Sequence, residues 1–317
     1  MIDLRNSIEM SSTMKFRSRY TVAVLAGMTA VVAVVPSVAL SAQASIPATP
    51  SGWTVAWSDD FNGAAGTGVD PVNWLYDTGT SYPGGAANWG TGEVETMTSS
   101  TANVYQDGKG NLVIKPIRDN QKNWTSGRIE TRRSDFQPDA GKVMAVEARI
   151  QMPNVTGSSA QGYWPAFWML GSPFRGNYTN WPSIGEMDIM ENVNGINTVW
   201  GTLHCGISPG GPCNETTGLG GSTTCPGSTC QSAFHVYRIE WDRSGPVEQL
   251  RWYVDGVLYH TVNQTDVDAT TWANATGHGF FIILNVAMGG SWPGRPNGLT
   301  KSGVPMLVDY VALYKSL

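Results

Sequence analysis

Three carboxylates stand close together in an otherwise apolar segment of the sequence, Gly185–Glu191. Carboxylates are rarely buried without a function, so this segment is the first candidate for chemistry. Alternate residues of a strand share a face, so Glu186 and Asp188 point the same way, whereas Glu191 falls out of step. We predict a β-bulge near 189–190 that absorbs one residue and returns Glu191 to the face of the other two.

A pair of carboxyl groups with opposite protonation is what glycoside hydrolysis requires, and like charges in a partly dry cleft keep one of them protonated. Glu186 and Glu191 have side chains long enough to lean together, toward the roughly 5 to 5.5 Å separation of retaining enzymes. Asp188 lies between them and would orient one Glu carboxyl through a hydrogen bond. Two alternatives stay open: a site for Ca²⁺ or Mn²⁺, and a solvated polar strand face.

The composition favours a large β domain with many flat aromatic faces. The 317 residues are 41% hydrophobic and only 14% charged, with 13 Trp, 11 Tyr and 37 Gly. Flat apolar faces suit sugar rings, although core packing is the ordinary role of Trp. The net charge of −5, with no basic cluster beyond the extreme N-terminus, argues against nucleic acid as a partner.

The N-terminal segment has the layout of a secretory signal peptide. After Met14 the chain carries three basic residues, an apolar run from Thr21 to about Leu40, and small residues up to Ala44. We predict an N-terminal extension and signal peptide over residues 1–44, cleavage after Ala44, and a secreted protein without stable membrane association. Retention of the apolar run as a membrane anchor is the alternative.

All four cysteines lie inside 26 residues rich in Gly, Pro, Ser and Thr. In a secreted chain they predict two disulfides. Three connectivities are possible, of which we favour the sequence-local one, Cys205 with Cys213 and Cys225 with Cys230. Zinc binding is the alternative, but the spacings lack paired Cys-x-x-Cys motifs. We expect the two disulfides to brace this loop at the rim of the fold, rather than to form a reactive site.

Short apolar or alternating runs recur along the chain with turn residues between them, and no long helical period appears. Among the runs predicted to be strands are Glu186 to Glu191, Val199 to His204 and His235 to Asp242. Roughly a dozen strands at this spacing predict an all-β fold, a sandwich or barrel. Asp255-Gly256 between two apolar runs predicts a tight hairpin. Without an internal linker or repeat, residues 45–317 are predicted to form one catalytic-sized domain.

The pattern Glu-x-Asp-x-x-Glu, preceded by the aromatic-rich Tyr163–Leu170, resembles glycoside hydrolase family 16, and nearly the whole chain after residue 44 fits. The supporting segments, in chain order, are Trp57–Gly63, Ser126–Thr131, Thr202–His204, Trp252–Gly256, Leu284–Gly290 with Trp292–Gly294, and Val308–Val311.

This resemblance implies a β-jelly-roll sandwich of the concanavalin A type, with an open cleft across its concave sheet and retaining hydrolysis of internal β-linkages. It makes Glu186 the nucleophile, Glu191 the general acid/base, and Asp188 the residue that orients and tunes the nucleophile. Glu191 should then have a raised pKa while Glu186 stays ionised. Two residues between Asp188 and Glu191 resemble the laminarinase-type branch, and lichenase-type members have one.

The resemblance also implies substrate-binding residues around the carboxylates. Trp181 and Trp164 resemble the aromatic floor of the cleft, with core packing as the alternative. His204 resembles the family's His near the acid/base, with a structural imidazole as the alternative. The remaining three are Asn285 and Trp292, which resemble contacts at one end of the cleft, and Arg128, which either binds sugar hydroxyls or braces a strand.

Many family members carry a structural Ca²⁺ between the first and last strands. Here Asp60, the backbone oxygen of Gly110 and Asp309 resemble its ligands, and oxygen-only ligands suit Ca²⁺. A hydrogen-bonded contact between the termini is the alternative. No cofactor is implied for catalysis.

The resemblance favours an endo-β-1,3-glycanase acting as a monomer on β-1,3-glucan of the laminarin type. The cysteine-rich insertion is similar to one in endo-β-1,3-galactanases that act on arabinogalactan, so β-1,3-galactan is the alternative substrate. Two further alternatives are a transglycosylase and a non-catalytic carbohydrate-binding protein, although the latter has no need of three intact carboxylates.

Overall fold

The computed structural model describes residues 45–317, and the predicted signal peptide with its cleavage point lies outside the described residues. Turn residues divide the described chain into short strands. Numbered in chain order, they are β1 (Trp53–Asp59), β2 (Trp74–Tyr76), β3 (Glu95–Met97), β4 (Val104–Gln106), β5 (Leu112–Ile114), β6 (Ile117–Arg118), β7 (Trp124–Ser126), β8 (Arg128–Thr131), β9 (Val143–Gln151), β10 (Tyr163–Gly171), β11 (Glu186–Glu191), β12 (Val199–His204), β13 (Leu219–Thr223), β14 (His235–Asp242), β15 (Gln249–Val254), β16 (Val257–Asn263), β17 (Phe280–Met288) and β18 (Met306–Ser316).

Two large antiparallel sheets pack face to face. The first, called the cleft sheet, has the order β13-β12-β11-β10-β17-β8-β2. The second, called the back sheet, has the order β16-β15-β14-β9-β18-β5-β4, and β1 also pairs with β18. A small third sheet, β3-β7-β6, contains a parallel pair of β3 with β7. The two layers confirm the predicted β-sandwich.

Strand sequences explain which faces the sandwich buries. Along β14 and β15, buried and half-buried residues alternate, as expected when one face packs on a core and the other faces water. Every residue of β17 is buried, because this central strand has the core on one side and the floor of the cleft on the other. The indole Nε1 of Trp252 crosses from the back sheet and donates a hydrogen bond of 2.7 Å to the backbone oxygen of Asp188. This bond connects the back sheet to β11, the strand that carries the three carboxylates and is called the carboxylate strand.

Local signals in the sequence predicted several strands correctly. The bounds predicted for β11, β12 and β14 are those of the structure. The hairpin at Asp255-Gly256 is also confirmed, and both residues have the positive φ that such a turn requires, 48° and 77°. One short α-helix, Ala269–Thr276, and four 3₁₀ turns complete the described chain: Ala87–Gly90, Gly157–Ala160, Ser172–Phe174 and Gln264–Asp266.

The cysteine-rich segment contains the two sequence-local disulfides that were favoured, Cys205–Cys213 and Cys225–Cys230. All four cysteines are buried. Within residues 45–317, no helix has the length and apolar character needed to cross a bilayer.

Candidate active site

The predicted bulge in β11 is present. Asp188 pairs with Trp168 of β10 and Glu191 pairs with Ala166, and the register slips by one residue between them. The same irregularity separates Asp188 from Glu191 along β12. Glu186, Asp188 and Glu191 consequently share one face and line a cavity of about 1070 Å³. Gly185 allows the strand to begin here, because it has φ +74° and a Cβ would clash with the backbone oxygen of Ala275.

The cavity runs across the cleft sheet rather than along it. Its walls include residues of β8, β17, β10, β11, β12 and β13, and loop residues close its sides. The carboxylate strand β11 lies within this span, so an extended ligand would pass over the carboxylates with room on both sides. Such a groove fits an internal segment of a polymer better than a chain end.

Burial changes the acidity of both glutamates. Loss of solvent, followed by the nearby charge of Asp188, raises the pKa of Glu186 to about 8 and raises the pKa of Glu191 well above its usual value. The expectation that only Glu191 has a raised pKa is therefore wrong. A difference between the two remains, because His204 lies 3.9 Å from Glu186 and supplies a cation that favours its ionised form.

His204 connects three acidic groups beneath the cleft. Its Nε2 lies 3.3 Å from Oδ2 of Asp188, and its Nδ1 lies 2.7 Å from Oε2 of Glu215. Burial disfavours the imidazolium, but the hydrogen bonds to Asp188 and Glu215 outweigh it and raise the pKa of His204 well above its usual value. His204 also lines the cavity, so an imidazolium adjoins the reacting groups.

The position of His204 corrects one detail of the sequence interpretation. The strand register places His204 opposite Glu186, and Trp200 opposite Glu191. The imidazole therefore lies closer to the predicted nucleophile, although its charge also acts on Glu191. The family pattern alone does not reveal this pairing, because it gives no strand register.

One cluster of three indoles lies beside Glu191. The indole Nε1 of Trp164 donates a hydrogen bond of 2.8 Å to Oε1 of Glu191. Trp292 meets Trp164 edge-on at 5.6 Å between ring centroids and meets Trp200 at 5.0 Å. All three indoles line the cavity, and Trp292 is 41% exposed. Sequence reasoning named Trp164 and Trp292 but missed Trp200.

Arg128 and Asn285 reach the cavity but are held by protein partners. Arg128 forms a buried ion pair of 3.0 Å with Asp77, and its guanidinium stacks on Trp89 and Trp168 at 4.6 and 4.9 Å. Asn285 Oδ1 accepts a hydrogen bond of 2.8 Å from Trp168 Nε1. Both residues therefore brace the cleft wall, in addition to any contact with a ligand.

A second aromatic group, missed from the sequence, lines the cavity beyond Arg128. Tyr82 and Tyr178 stack in parallel at 4.6 Å, and Trp89 and Phe174 meet Tyr82 edge-on. These rings come from Gly- and Pro-rich loops, where aromatic residues have no core to fill, and that context was the available signal. Trp181, which was predicted, lies 5.7 Å from the His204 ring and also lines the cavity.

The cysteine-rich loop between Cys205 and Cys230, called the disulfide loop, contributes to the wall of the cavity as well as to its rim. Its residues Asn214, Thr216, Thr217 and Gly218 line the cavity, and Glu215 contacts His204 from behind. Glu215 is the only charged residue between Cys205 and Cys230, a signal that sequence reasoning left unused.

The residues that could bind a metal ion, the alternative reading of the carboxylates, lie in this same site. Among residues 45–317, the one group of three or more His, Cys, Asp or Glu side chains close enough to share an ion is Glu186, Asp188 and His204, whose ligand atoms lie within 4.8 Å. Nε2 of His204 and Oδ2 of Asp188 are 3.3 Å apart, an ion-pair contact that needs no metal ion between the two groups.

The predicted calcium ligands lie near one another in the strand register. Asp59, next to Asp60, pairs with Val311, and Val308 pairs with Leu112, two residues after Gly110. Asp309 Oδ2 is 2.7 Å from Arg149 Nη1, which leaves its other oxygen for a cation. These oxygen donors fit calcium, although Arg149 offsets the charge of Asp309.

The sequence of the chain matches the family model of glycosyl hydrolases family 16 over residues 94–311. Among curated proteins, it is 34% identical over 280 residues to the Beta-glucanase of Rhodothermus marinus, covering 83% of this chain and 85% of that protein. It is 33% identical over 287 residues to Glucan endo-1,3-beta-glucosidase A1 of Niallia circulans, covering 84% of this chain and 38% of the length of that protein.

The fold is similar to that of a solved structure, the endo-1,3-beta-glucanase from Streptomyces sioyaensis. The match has a TM-score of 0.85 and 65% sequence identity, and it covers 86% of this chain and 99% of the other. This agreement confirms the β-jelly-roll assignment.

Proposed function

The chain belongs to glycosyl hydrolase family 16, and we propose that it is an endo-acting, retaining glycoside hydrolase that cleaves internal β-1,3 linkages of a laminarin-type glucan. The observation that carries the proposal is the row of Glu186, Asp188 and Glu191 within a groove that crosses the sheet. Relatives that are named as a glucan endo-1,3-beta-glucosidase and an endo-1,3-beta-glucanase support the substrate class.

In the first step, protonated Glu191 donates its proton to the glycosidic oxygen while ionised Glu186 attacks the anomeric carbon. The bond between that carbon and the leaving oxygen breaks, a glycosyl ester forms on Glu186, and one part of the polymer departs. In the second step, Glu191 takes a proton from water, the water oxygen attacks the anomeric carbon, and Glu186 leaves as a carboxylate. Two inversions give net retention.

The surroundings of each carboxyl support these roles. His204 is a cation 3.9 Å from Glu186, which favours the ionised nucleophile, and Asp188 lies 3.3 Å from the same imidazole and favours its charged form. Glu191 forms no ion pair among the described residues, so His204 acts on it less directly, and burial, the largest effect on its pKa, favours the protonated form. Trp164 holds the carboxyl of Glu191 in place through its indole hydrogen bond.

Substrate choice is tested with a panel of laminarin, lichenan, xyloglucan, agarose, carrageenan and β-1,3-galactan, with products resolved by size. We expect short oligomers from laminarin by the wild type and none from Glu186→Ala or Glu191→Ala. Products longer than an oligosaccharide substrate would show transglycosylation. Absence of cleavage on every polymer would overturn the proposal in favour of a carbohydrate-binding protein.

β-1,3-Galactan is kept as a second substrate because the disulfide loop places polar side chains on the cleft wall. Asn214, Thr216 and Thr217 all line the cavity. Glucan and galactan differ in the orientation of one hydroxyl, and a single polar contact is enough to separate two such substrates. Cleavage of galactan but not laminarin in the same panel would favour this candidate.

We further propose that the protein is secreted, works as a monomer, and holds one structural Ca²⁺ at Asp60, Gly110 and Asp309. Two disulfides support secretion, since such bonds persist in oxidising compartments. The calcium would join the first and last strands of the back sheet and take no part in catalysis. N-terminal sequencing of the exported protein tests the cleavage after Ala44, and size-exclusion chromatography with light scattering tests the monomer.

A further inference from the structure

Glu215 is a buried carboxylate that the proposed mechanism does not use. Its side chain is fully inaccessible to solvent, and it is the only charged residue of the 26-residue cysteine-rich loop. An isolated carboxylate in such a place is costly, so its contacts must compensate for the loss of hydration.

Both carboxylate oxygens of Glu215 have fixed partners. Oε1 accepts a hydrogen bond of 2.8 Å from the backbone N–H of Cys205, and Oε2 lies 2.7 Å from Nδ1 of His204. The backbone of Glu215 is also held, since it exchanges two hydrogen bonds of 2.6 Å with Gly210. The Cys205–Cys213 disulfide closes this small hairpin. The position of the carboxylate is therefore set by the loop.

The partner of one imidazole nitrogen determines what the other can do. An ionised Glu215 only accepts hydrogen bonds, so Nδ1 of His204 must carry the proton. Nε2 then faces Oδ2 of Asp188 at 3.3 Å and Oε1 of Glu186 at 3.9 Å. A proton on Nε2 as well makes the ring an imidazolium, whose positive charge faces both carboxylates.

We propose that Glu215 is a positioning residue for the glycosidase reaction: it holds His204 in the orientation and charge state that keep a cation beside Glu186. This inference rests on the proposed function, because it assigns the role through Glu186 as nucleophile. It gives the cysteine-rich loop a catalytic purpose in addition to its contribution to the cleft wall.

The charged surroundings of His204 are few. Glu186 and Asp188 face it from β11, and Glu215 faces it from the loop, while the indole of Trp181 covers the ring at 5.7 Å. The His204 imidazolium lies between Glu186 and Glu215. His204 and Glu215 together therefore act on Glu186 as a dipole whose positive end is nearer to the Glu186 carboxylate. Removing that dipole disfavours the ionised nucleophile.

The test compares Glu215→Gln with wild type. A glutamine keeps the shape, accepts from Cys205 N–H and donates its amide to Nδ1 of a neutral His204. We expect kcat on laminarin to fall about 10- to 100-fold with little change in KM. We also expect the acid limb of the pH profile to move to higher pH, because Glu186 becomes harder to ionise.

Glu147→Gln is the matched control. Glu147 is a buried glutamate of the back sheet that pairs with Arg238 at 2.9 Å, and it does not line the cavity. Its removal should lower the melting temperature and leave the acid limb in place. If Glu215→Gln behaves like this control, with an unmoved acid limb and wild-type kcat, the proposal is overturned.

Nitrogen-15 NMR of the histidine rings gives a readout that needs no substrate. The chain has four histidines, and His204→Gln identifies the signals of His204. We expect both nitrogens of His204 to be protonated at pH 7 in the wild type, and only one in Glu215→Gln. An unchanged His204 spectrum in Glu215→Gln contradicts the inference, whereas inactivity of the wild type on laminarin contradicts the proposed substrate alone.

Discussion

The indole nitrogen of Trp164 donates its hydrogen to Glu191 at 2.8 Å, so an aromatic residue of the cleft floor also sets the acidity of the proton donor. A hydrogen bond to a carboxylate stabilises the ionised form and lowers its pKa. Burial acts in the opposite direction and is the larger effect, which leaves Glu191 with a raised pKa. Trp164 therefore limits how far that pKa rises.

Trp164→Phe keeps a ring beside Trp292 and removes the donor. The pKa of Glu191 should rise further, so the alkaline limb of the kcat/KM profile, where Glu191 loses its proton, should move to higher pH. The profile is measured on laminarin. Trp168→Phe is the control, because Trp168 donates to Asn285 instead. An alkaline limb that moves equally in both variants would contradict this role.

The two disulfides should differ in their effect on catalysis. Replacing either pair by serine lowers the free energy of unfolding, by about 2 to 4 kcal/mol. Only Cys205→Ser with Cys213→Ser frees the hairpin that carries Glu215, so only this variant should lose kcat while still folded. Cys225→Ser with Cys230→Ser is the control. Equal kcat values for the two folded double variants, measured well below their melting temperatures, would argue against it.

Trp292 should contribute to substrate binding rather than to chemistry. It is 41% exposed on the cleft wall and packs edge-on against Trp164 and Trp200. Loss of a flat aromatic contact is worth about 1 kcal/mol, so Trp292→Ala should raise KM for laminarin roughly fivefold with a smaller change in kcat. Leu299→Ala, at another exposed apolar residue, should leave both constants unchanged. A lower kcat with an unchanged KM for Trp292→Ala would contradict a role in substrate binding and indicate a role in the chemical step.

Calcium should raise the melting temperature without changing the rate of hydrolysis. Differential scanning calorimetry with EDTA and then with excess Ca²⁺ measures the difference. Asp309→Asn should abolish it, because the ion loses its charged ligand on the last strand, and Asp139→Asn, at an exposed residue that pairs with Lys315, should not. Identical melting curves with and without calcium would contradict the proposed structural Ca²⁺ site.

The sequence contained enough information for the strand that carries the carboxylates. The residues of β11 alternate except for one misplaced glutamate, and the bulge is the way for a strand to correct that step. The bounds of β12 and β14 followed from the same period-two pattern. Short strands such as β6, with two residues, were missed because two residues define no period.

The sequence did not reveal which loop side chains contact the cleft residues. Glu215 lies 11 residues from His204, in a loop whose composition suggests only turns, and nothing local indicates that it folds back beneath the cleft. The contact of Arg128 with Asp77 spans 51 residues. Such pairs depend on how the loops pack on the finished sheet. The raised pKa of Glu186 likewise depends on burial that the sequence pattern does not measure.

The central claim is that Glu186 attacks the sugar and Glu191 transfers the proton. It is tested by treating folded Glu186→Ala and Glu191→Ala with azide and an activated aryl β-glycoside of a laminari-oligosaccharide, and determining the product configuration by proton NMR. Without its nucleophile, Glu186→Ala should give the α-glycosyl azide by one direct displacement. Glu191→Ala should give the β-glycosyl azide through two displacements. A β-azide from Glu186→Ala, or full laminarin hydrolysis by that variant, would contradict the account.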